Sequence, residues 1–311
     1  MSFALVKQPL WVAFLLCCVT IIIRGDVMTN YTALIIDLKS SRSYSVDDRN
    51  SIQNYIITII QNLNEVFSNT LARNVEFSAG DEVQGLFICP QSAYLYFRMF
   101  SMLVFPVEIR AGIGIGEWNV KIENASTTAQ DGPAFHNARY AIENVEAALG
   151  YSVLLYSGTD VDLFINAVIN TAFALTNNHS EYQNELMLLL ELLYPINYGE
   201  VINHSKIYLL LNLVTSKNKL NYYMYHNKSK SVKKYPFDDN EFMNLEPFPI
   251  DAENDDSTIY VSSGKKRGMS TRLSQILNIS RQSIEKTIKT ANIYEARNST
   301  IVALKIMDMY L

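Results

Sequence analysis

Three acidic residues stand where chemistry could be done. Asp37 closes the apolar run Ala33-Leu34-Ile35-Ile36, and Asp81 and Glu82 follow Gly80 in "VEFSAGDEVQGLFI" (75–88). Two carboxylates brought together, with the carbonyl of a neighbouring residue such as Leu38, make a set of hard oxygen donors. Such a set suits Mg²⁺, which is commonly shared with nucleotide phosphates. The plainer reading is that the aspartates act apart: Asp37 caps a loop and Asp81 serves a turn, since Gly and Asp tolerate the positive φ of tight hairpins. A turn alone, however, has no use for two adjacent like charges.

The elements that must position these residues are legible in the spacing. Residues 75–79 and 83–88 alternate as strands, and the same alternation turns Glu82 to the face opposite Asp81. Residues 32–37 read as a buried strand. Ser45-x-x-Asp48 looks like a helix cap, and behind it Ile52, Tyr55, Ile56, Ile59, Leu63, Val66 and Phe67 recur at helical spacing. Residues 91–104 read as a second helix. In "PVEIRAGIGIGEW" (106–118) one strand face carries Val107, Ile109, Ala111, Ile113 and Ile115. The other carries Glu108, Arg110, Gly112, Gly114 and Gly116, and so bare a face invites close approach by another backbone or by a ligand. "QDGPAFHNARYAIENVEAALG" (130–150) predicts a helix that opens with Pro133 and closes on Gly150. Phe135, Ala138, Ile142, Val145 and Leu149 form its apolar seam; His136, Arg139, Glu143 and Glu146 form a polar one. "VLLY" (153–156) predicts a fifth strand. The order β-α-β-β-α-β-α-β is that of split βαβ units, an α+β, ferredoxin-like antiparallel sheet with helices on one side. In such a sheet the first strand lies beside the hairpin, so Asp37 comes near Asp81.

The chain has 311 residues, 49% hydrophobic and 18% charged, enough for two domains with cores of their own. A net charge of −5 excludes a protein that binds polyanions over its whole surface and leaves only a local basic patch for nucleic acid. Cys17, Cys18 and Cys89 make no disulfide framework, which points to a reducing, cytoplasmic setting. His136, His179, His204 and His226 are too dispersed for a structural zinc. "PLWVAFLLCCVTIII" (9–23), flanked by Lys7 and Arg24, falls short of the about 20 apolar residues of a membrane span. Residues 1–27 are thus an apolar extension with three readings: a short anchor, a signal peptide, or translation from a start upstream of the working one. The third is preferred, because Met28 stands just before the first strand.

From about residue 160 to 214 the pattern is helical, with "LMLLLELLY" (186–194) and "IYLLLNLV" (207–214) as core helices of a connector or dimerising bundle. A homodimer is expected. Residues 228–234 are basic, and the acidic, proline-containing stretch 238–256 reads as a linker. In "STRLSQILNISRQSIEKTIKTANI" (270–293), Leu273, Ile276 and Leu277 share one helix, Asn278-Ile279 turns, and Ser280 caps a helix bearing Ile284 and Ile288. This is helix-turn-helix spacing, in which the second helix can enter a major groove. Arg281, Gln282, Ser283, Lys286 and Lys289 are the candidate DNA contacts, with Lys265, Lys266 and Arg267 upstream. A helical hairpin used for packing is the alternative. The expected division is 28–158, a helical connector and linker over 159–257, and 258–311.

"IIDLKSS", "FSAGDEVQGLF", "IRAGIGIGEW" and "DGPAFHNARYAI", in this order, resemble the motif series of class III nucleotidyl cyclases over residues 28–158. The GDE tip is similar to the signature hairpin of diguanylate cyclases, which share that palm-like fold. The whole chain, with its helix-turn-helix tail, is most similar to the SatD-like family of bacterial proteins. The resemblance implies that Asp37 and Asp81 are metal-binding aspartates, with Mg²⁺ as cofactor and Gly80 as the turn glycine. It implies a nucleotide-binding set of Leu38, Lys39, Ser40, Gly80, Glu82, Asp131, His136, Asn137 and Arg139. The departures matter as much. His136 stands where the cyclases have a ribose-orienting Asn, Tyr140 where they have a transition-state Arg, and Phe77 where adenylyl cyclases carry a base-reading Lys. Asn137 and Arg139 are one residue off, rotated about 100° around the helix.

Phosphoryl chemistry depends on positioning and cationic stabilisation, so a kept metal half with an altered cationic half favours binding over fast turnover. The expected function is regulatory: a domain that senses a nucleotide or related phosphate with Mg²⁺, coupled to a tail that contacts DNA or a partner. The alternatives are an active nucleotidyl cyclase or other phosphotransfer enzyme using Asp37 and Asp81, and a scaffold with a vestigial site.

Overall fold

The computed structural model describes residues 30–39, 44–78, 80–148, 150–217, 245–254 and 259–311. The expectations placed on residues 1–27, Met28, Ser40, Ala79, Leu149, the basic run 228–234 and residues 238–244 and 255–256 of the acidic stretch lie outside the described residues.

Alternating apolar residues build a five-stranded sheet in the order β2-β3-β1-β4-β5. Its central strand β1 (Tyr31–Leu38) pairs antiparallel with β3 (Glu82–Phe87) and with β4 (Ile109–Gly116), and β3 pairs antiparallel with β2 (Leu71–Phe77). The expectation of a wholly antiparallel sheet is corrected at β5 (Val153–Tyr156), which runs parallel to β4. The chain returns from β4 to β5 through the helix α3 (Pro133–Val145), and a crossover helix is what permits a parallel neighbour.

The placement of helices on one side is corrected as well. Leu34, Ile36 and Leu38 of β1 pack with α1 (Val46–Val66) and α2 (Pro90–Val104) in the main core, whereas Ala33 and Ile35 face α3 on the other side. The glycine face of β4 is the reason. A Cβ on Gly114 would lie 2.0 Å from Ala138 N, and one on Gly112 2.2 Å from Ala138 O. The open question of what approaches that face is thus answered: it is the backbone of α3, which presents the small side chains Ala134 and Ala138.

Strand β5 lies at the edge of the sheet, where unpaired backbone groups invite further pairing. Two asparagines of α4 (Asp162–Thr176) cover it. Asn166 accepts from Leu155 N (2.7 Å) and donates to Leu155 O (2.8 Å), and Asn170 accepts from Ser152 N (3.0 Å) and donates to Val153 O (2.8 Å). Side-chain amides one helical turn apart thus stand in for a sixth strand.

Helices α5 (Glu181–Leu193) and α6 (Tyr208–Lys217) follow, as the apolar runs predicted. A two-stranded parallel pair, β6 (Ile196–Asn197) with β7 (Ile250–Asp251), had no sequence signal. The C-terminal part holds α7 (Met269–Ile276), α8 (Arg281–Thr290) and α9 (Ile293–Tyr310). Asn278 takes φ 48° at the turn, and Ser280 Oγ caps α8 by accepting from Ser283 N (3.2 Å). Leu273, Leu277, Ile284 and Ile288 join the same apolar core as α2 and α5. A fully buried ionic cluster ties these layers: Glu191 of α5 meets Arg98 of α2 (2.5 Å) and Arg297 of α9 (2.5 Å). Among the described residues no helix is long and apolar enough to cross a membrane.

Candidate functional site

Register places the first charges. Asp37 at the end of β1 lies opposite Glu82 on β3 and opposite Arg110 on β4, and directly opposed residues share a face. That face is the one covered by α3, because Ala33, Ile35 and Leu86 precede and follow in the same alternation. Glu82 therefore stands beside Asp37, and the hairpin presents to β1 a glutamate where sequence reasoning looked to Asp81. Asp81 sits one residue earlier at the half-buried tip. Gly80 makes that tip possible with φ 63°, and its carbonyl accepts from Gln53 Nε2 (3.3 Å).

Helix α3 runs antiparallel to β4, with its N-terminus over Gly116 and its later turns over Gly112. Its polar seam thus descends toward Asp37. Arg139 donates from both terminal nitrogens to Glu82, at 2.6 and 2.8 Å. Arg110 donates from Nε to Asp37 Oδ2 (2.7 Å) and from Nη1 to Glu146, just beyond the end of α3. The result is a strip of three carboxylates and two guanidiniums drawn from β1, β3, β4 and α3. The hydrogen bonds to Glu82 raise the Arg139 guanidinium above its ordinary value, with Glu143 and Asp37 adding to the effect. Burial alone would lower Arg110, but Asp37 and Glu146 together reverse it.

Other expected site residues are distributed differently. Lys39 continues the strand end, its N–H donating to Glu108 O (2.9 Å), while the Leu38 side chain is buried in the main core. His136 pairs with Asp131 (2.8 Å), and Asn137 donates to Ile115 O (2.7 Å). These three lie over the Gly116 end of the sheet, away from Asp37. Tyr140 turns toward β5, its ring 4.7 Å from that of Tyr156, so the helix offers Arg139 to the carboxylates. Phe77 packs against the main core. Among the described residues no group of three or more His, Cys, Asp or Glu is placed to hold a metal ion.

Arg110 and Glu146 were missed as site residues. Their signals were present: Arg110 interrupts a glycine face, and Glu146 falls two helical turns after Arg139. In the C-terminal part, Arg281, Gln282, Lys286 and Lys289 are exposed on α8 and Ser283 is half-buried at its start. Arg281 is engaged by Glu285 (2.8 Å), so Lys286 and Lys289 are the plainer cations of that face.

The sequence model of the SatD family matches residues 31–245, from β1 through α6 to just short of β7, and α7–α9 lie beyond the match. None of the curated proteins matches the chain.

Proposed function

The chain belongs to the SatD family, and from that premise we propose that it is a cytoplasmic regulatory protein whose sheet end binds a nucleotide with Mg²⁺. The observation that carries the reading is the meeting of Asp37 and Glu82 with Arg110 and Arg139 on one face. Carboxylates can take a metal and guanidiniums can take phosphate oxygens, bidentately where geometry allows. Mg²⁺ bound to nucleotides is usually held by one or two carboxylates plus the phosphates themselves, so a three-carboxylate cage is not required. Asp37, with Asp81 or Glu82, would hold the ion, and Arg110 and Arg139 would exchange carboxylate partners for phosphate. The bound state is coupled to α7 and α8, read as a helix-turn-helix that contacts DNA or a partner protein. A homodimer would present two such helices to two half-sites.

Calorimetry on the full chain with ATP and GTP, with and without Mg²⁺, tests this. Mg²⁺-dependent binding is expected, with Asp37→Asn weakening it at least about tenfold, equivalent to 1.4 kcal/mol, and Asp81→Asn doing the same where Asp81 rather than Glu82 is the second ligand. Equal binding by both variants and wild type would sink the reading. A second reading, an active nucleotidyl cyclase or other phosphotransfer enzyme, draws on the position of Arg139 beside the carboxylates, since it returns a cation to the site. A cyclic or transferred product in the same samples would favour it over the sensor.

A further inference from the structure

A cleft of ≈ 380 Å³ opens on the side of the sheet away from α3. Phe97, Ser101 and Phe105 line it from α2 and the loop that follows, and Phe173, Thr176 and Asn184 from α4 and α5. Its size falls within the about 300–1,000 Å³ of small-molecule pockets, and its lining is mixed: Phe97, Phe105 and Phe173 give it an apolar side, and Ser101, Thr176 and Asn184 give it polar groups. Lys39 and Glu108 enter the lining from the strand ends, where the Lys39 N–H donates to Glu108 O (2.9 Å).

The cleft has an inner extension. A void of ≈ 10 Å³ shares Ser101, Met102, Phe173 and Thr176 with it and is also lined by Arg98. Such a void has room for about one water molecule. Arg98 belongs to the buried cluster with Glu191 and Arg297, which sets two guanidiniums against one carboxylate. Among the described residues its guanidinium makes one hydrogen bond, from Nη2 to Glu191 Oε1 (2.5 Å), although an arginine carries five N–H donors. Arg297, by contrast, also donates to Gly264 O (2.8 Å) and Tyr194 O (2.7 Å). Arg297 Nη1 faces Glu191 as an ion pair without a hydrogen bond and is enclosed in the core, whereas Arg98, which spends one hydrogen bond on Glu191, lines the void. Lys217, behind Met102 and Phe105, has Glu181 and Glu185 as its own counter-charges.

We propose that this cleft binds a small organic monoanion, a carboxylate on a flat or branched apolar body, whose charge Arg98 reads through one bridging water. The apolar body lies against Phe97, Phe105 and Phe173. A single negative charge answers the surplus of one in the cluster of Arg98, Arg297 and Glu191. A buried surplus charge is costly to hold, so binding should also stabilise the fold.

The test uses the full chain and a panel of benzoate, phenylacetate and isovalerate with their neutral amides, read by calorimetry and thermal unfolding. At least one acid is expected to bind and raise Tm, with its amide at least tenfold weaker. Ser101→Trp, which fills the cleft, should abolish binding, and Arg98→Met should remove the preference for acid over amide. Should Arg98→Met fail to fold, the acid-to-amide ratio of wild type and the loss in Ser101→Trp still decide. Asp37→Asn, on the other face of the sheet, should leave acid binding unchanged. Equal affinity for acid and amide, no binding by any acid, wild-type binding by Ser101→Trp, or loss in Asp37→Asn would each overturn the proposal.

Discussion

Two ionic clusters in this protein use the same side chains and differ in where they sit. At the sheet end the Asp37 and Glu82 side chains keep 19% and 17% of their exposure, and Arg139 keeps 44%. In the interior Glu191 keeps 1% and Arg297 none. Burial would raise the Glu191 carboxyl, yet Arg297 and Arg98 hold it below its ordinary value. Burial lowers Arg297, with Glu191 opposing and Arg98 adding to the fall. Those three groups are locked together, because separating any pair strands a charge without water. At the sheet end, water screens each pair and can replace either partner. Guanidinium–carboxylate chemistry alone therefore does not mark a binding site. Access to water decides which cluster can trade partners with a ligand and which can only hold helices together.

The contrast can be broken most directly at Glu191. Glu191→Ala leaves two buried guanidiniums facing each other and should cost about 3–5 kcal/mol in urea unfolding. A loss under about 1 kcal/mol, the scale of a surface pair, would erase the distinction. The acid branch gives a second readout. Because Glu191 is held below its ordinary 4.5, its contribution is present above pH 4.5 and is lost as pH falls through the folded value. Wild type should lose that increment below pH 4.5, and Glu191→Ala should not.

A smaller effect is expected where α3 meets the sheet. Gly114→Ala puts a Cβ 2.0 Å from Ala138 N, and overpacking of that kind should cost about 1–3 kcal/mol. Displacing α3 also moves Arg139, so the variant should weaken Mg²⁺-nucleotide binding although Gly114 touches no charged group. Unchanged stability would show that α3 is not pinned by the bare strand face.

The smallest effect belongs to the sheet-end cluster itself. Arg110→Ala should cost at most about 1 kcal/mol. In 1 M salt, where charges are screened beyond about 3 Å, its stability should converge on that of wild type, while the Glu191→Ala gap should persist. A salt-insensitive loss at Arg110 would move that pair into the structural class.

The sequence by itself determined what depends on near neighbours. The seam of α1, its Ser45 cap, the fifth strand at 153–156 and the turn from α7 to α8 at Asn278–Ser280 were all legible, since period, cap and turn chemistry act over a few residues. It also brought β1 beside the hairpin, with Asp37 at its end. Only the tertiary structure decided the rest. Register made Glu82 the neighbour of Asp37, and the glycines of β4 admitted the backbone of α3, whose seam then delivered Arg139 and Glu146. The asparagines that seal β5 and the meeting of Arg98, Glu191 and Arg297 join segments far apart in the chain. Such partners leave no periodic trace, because each side chain reads locally as an ordinary polar residue on a helix. What makes it a seal, a lock or a ligand contact is the water that packing leaves or removes around it.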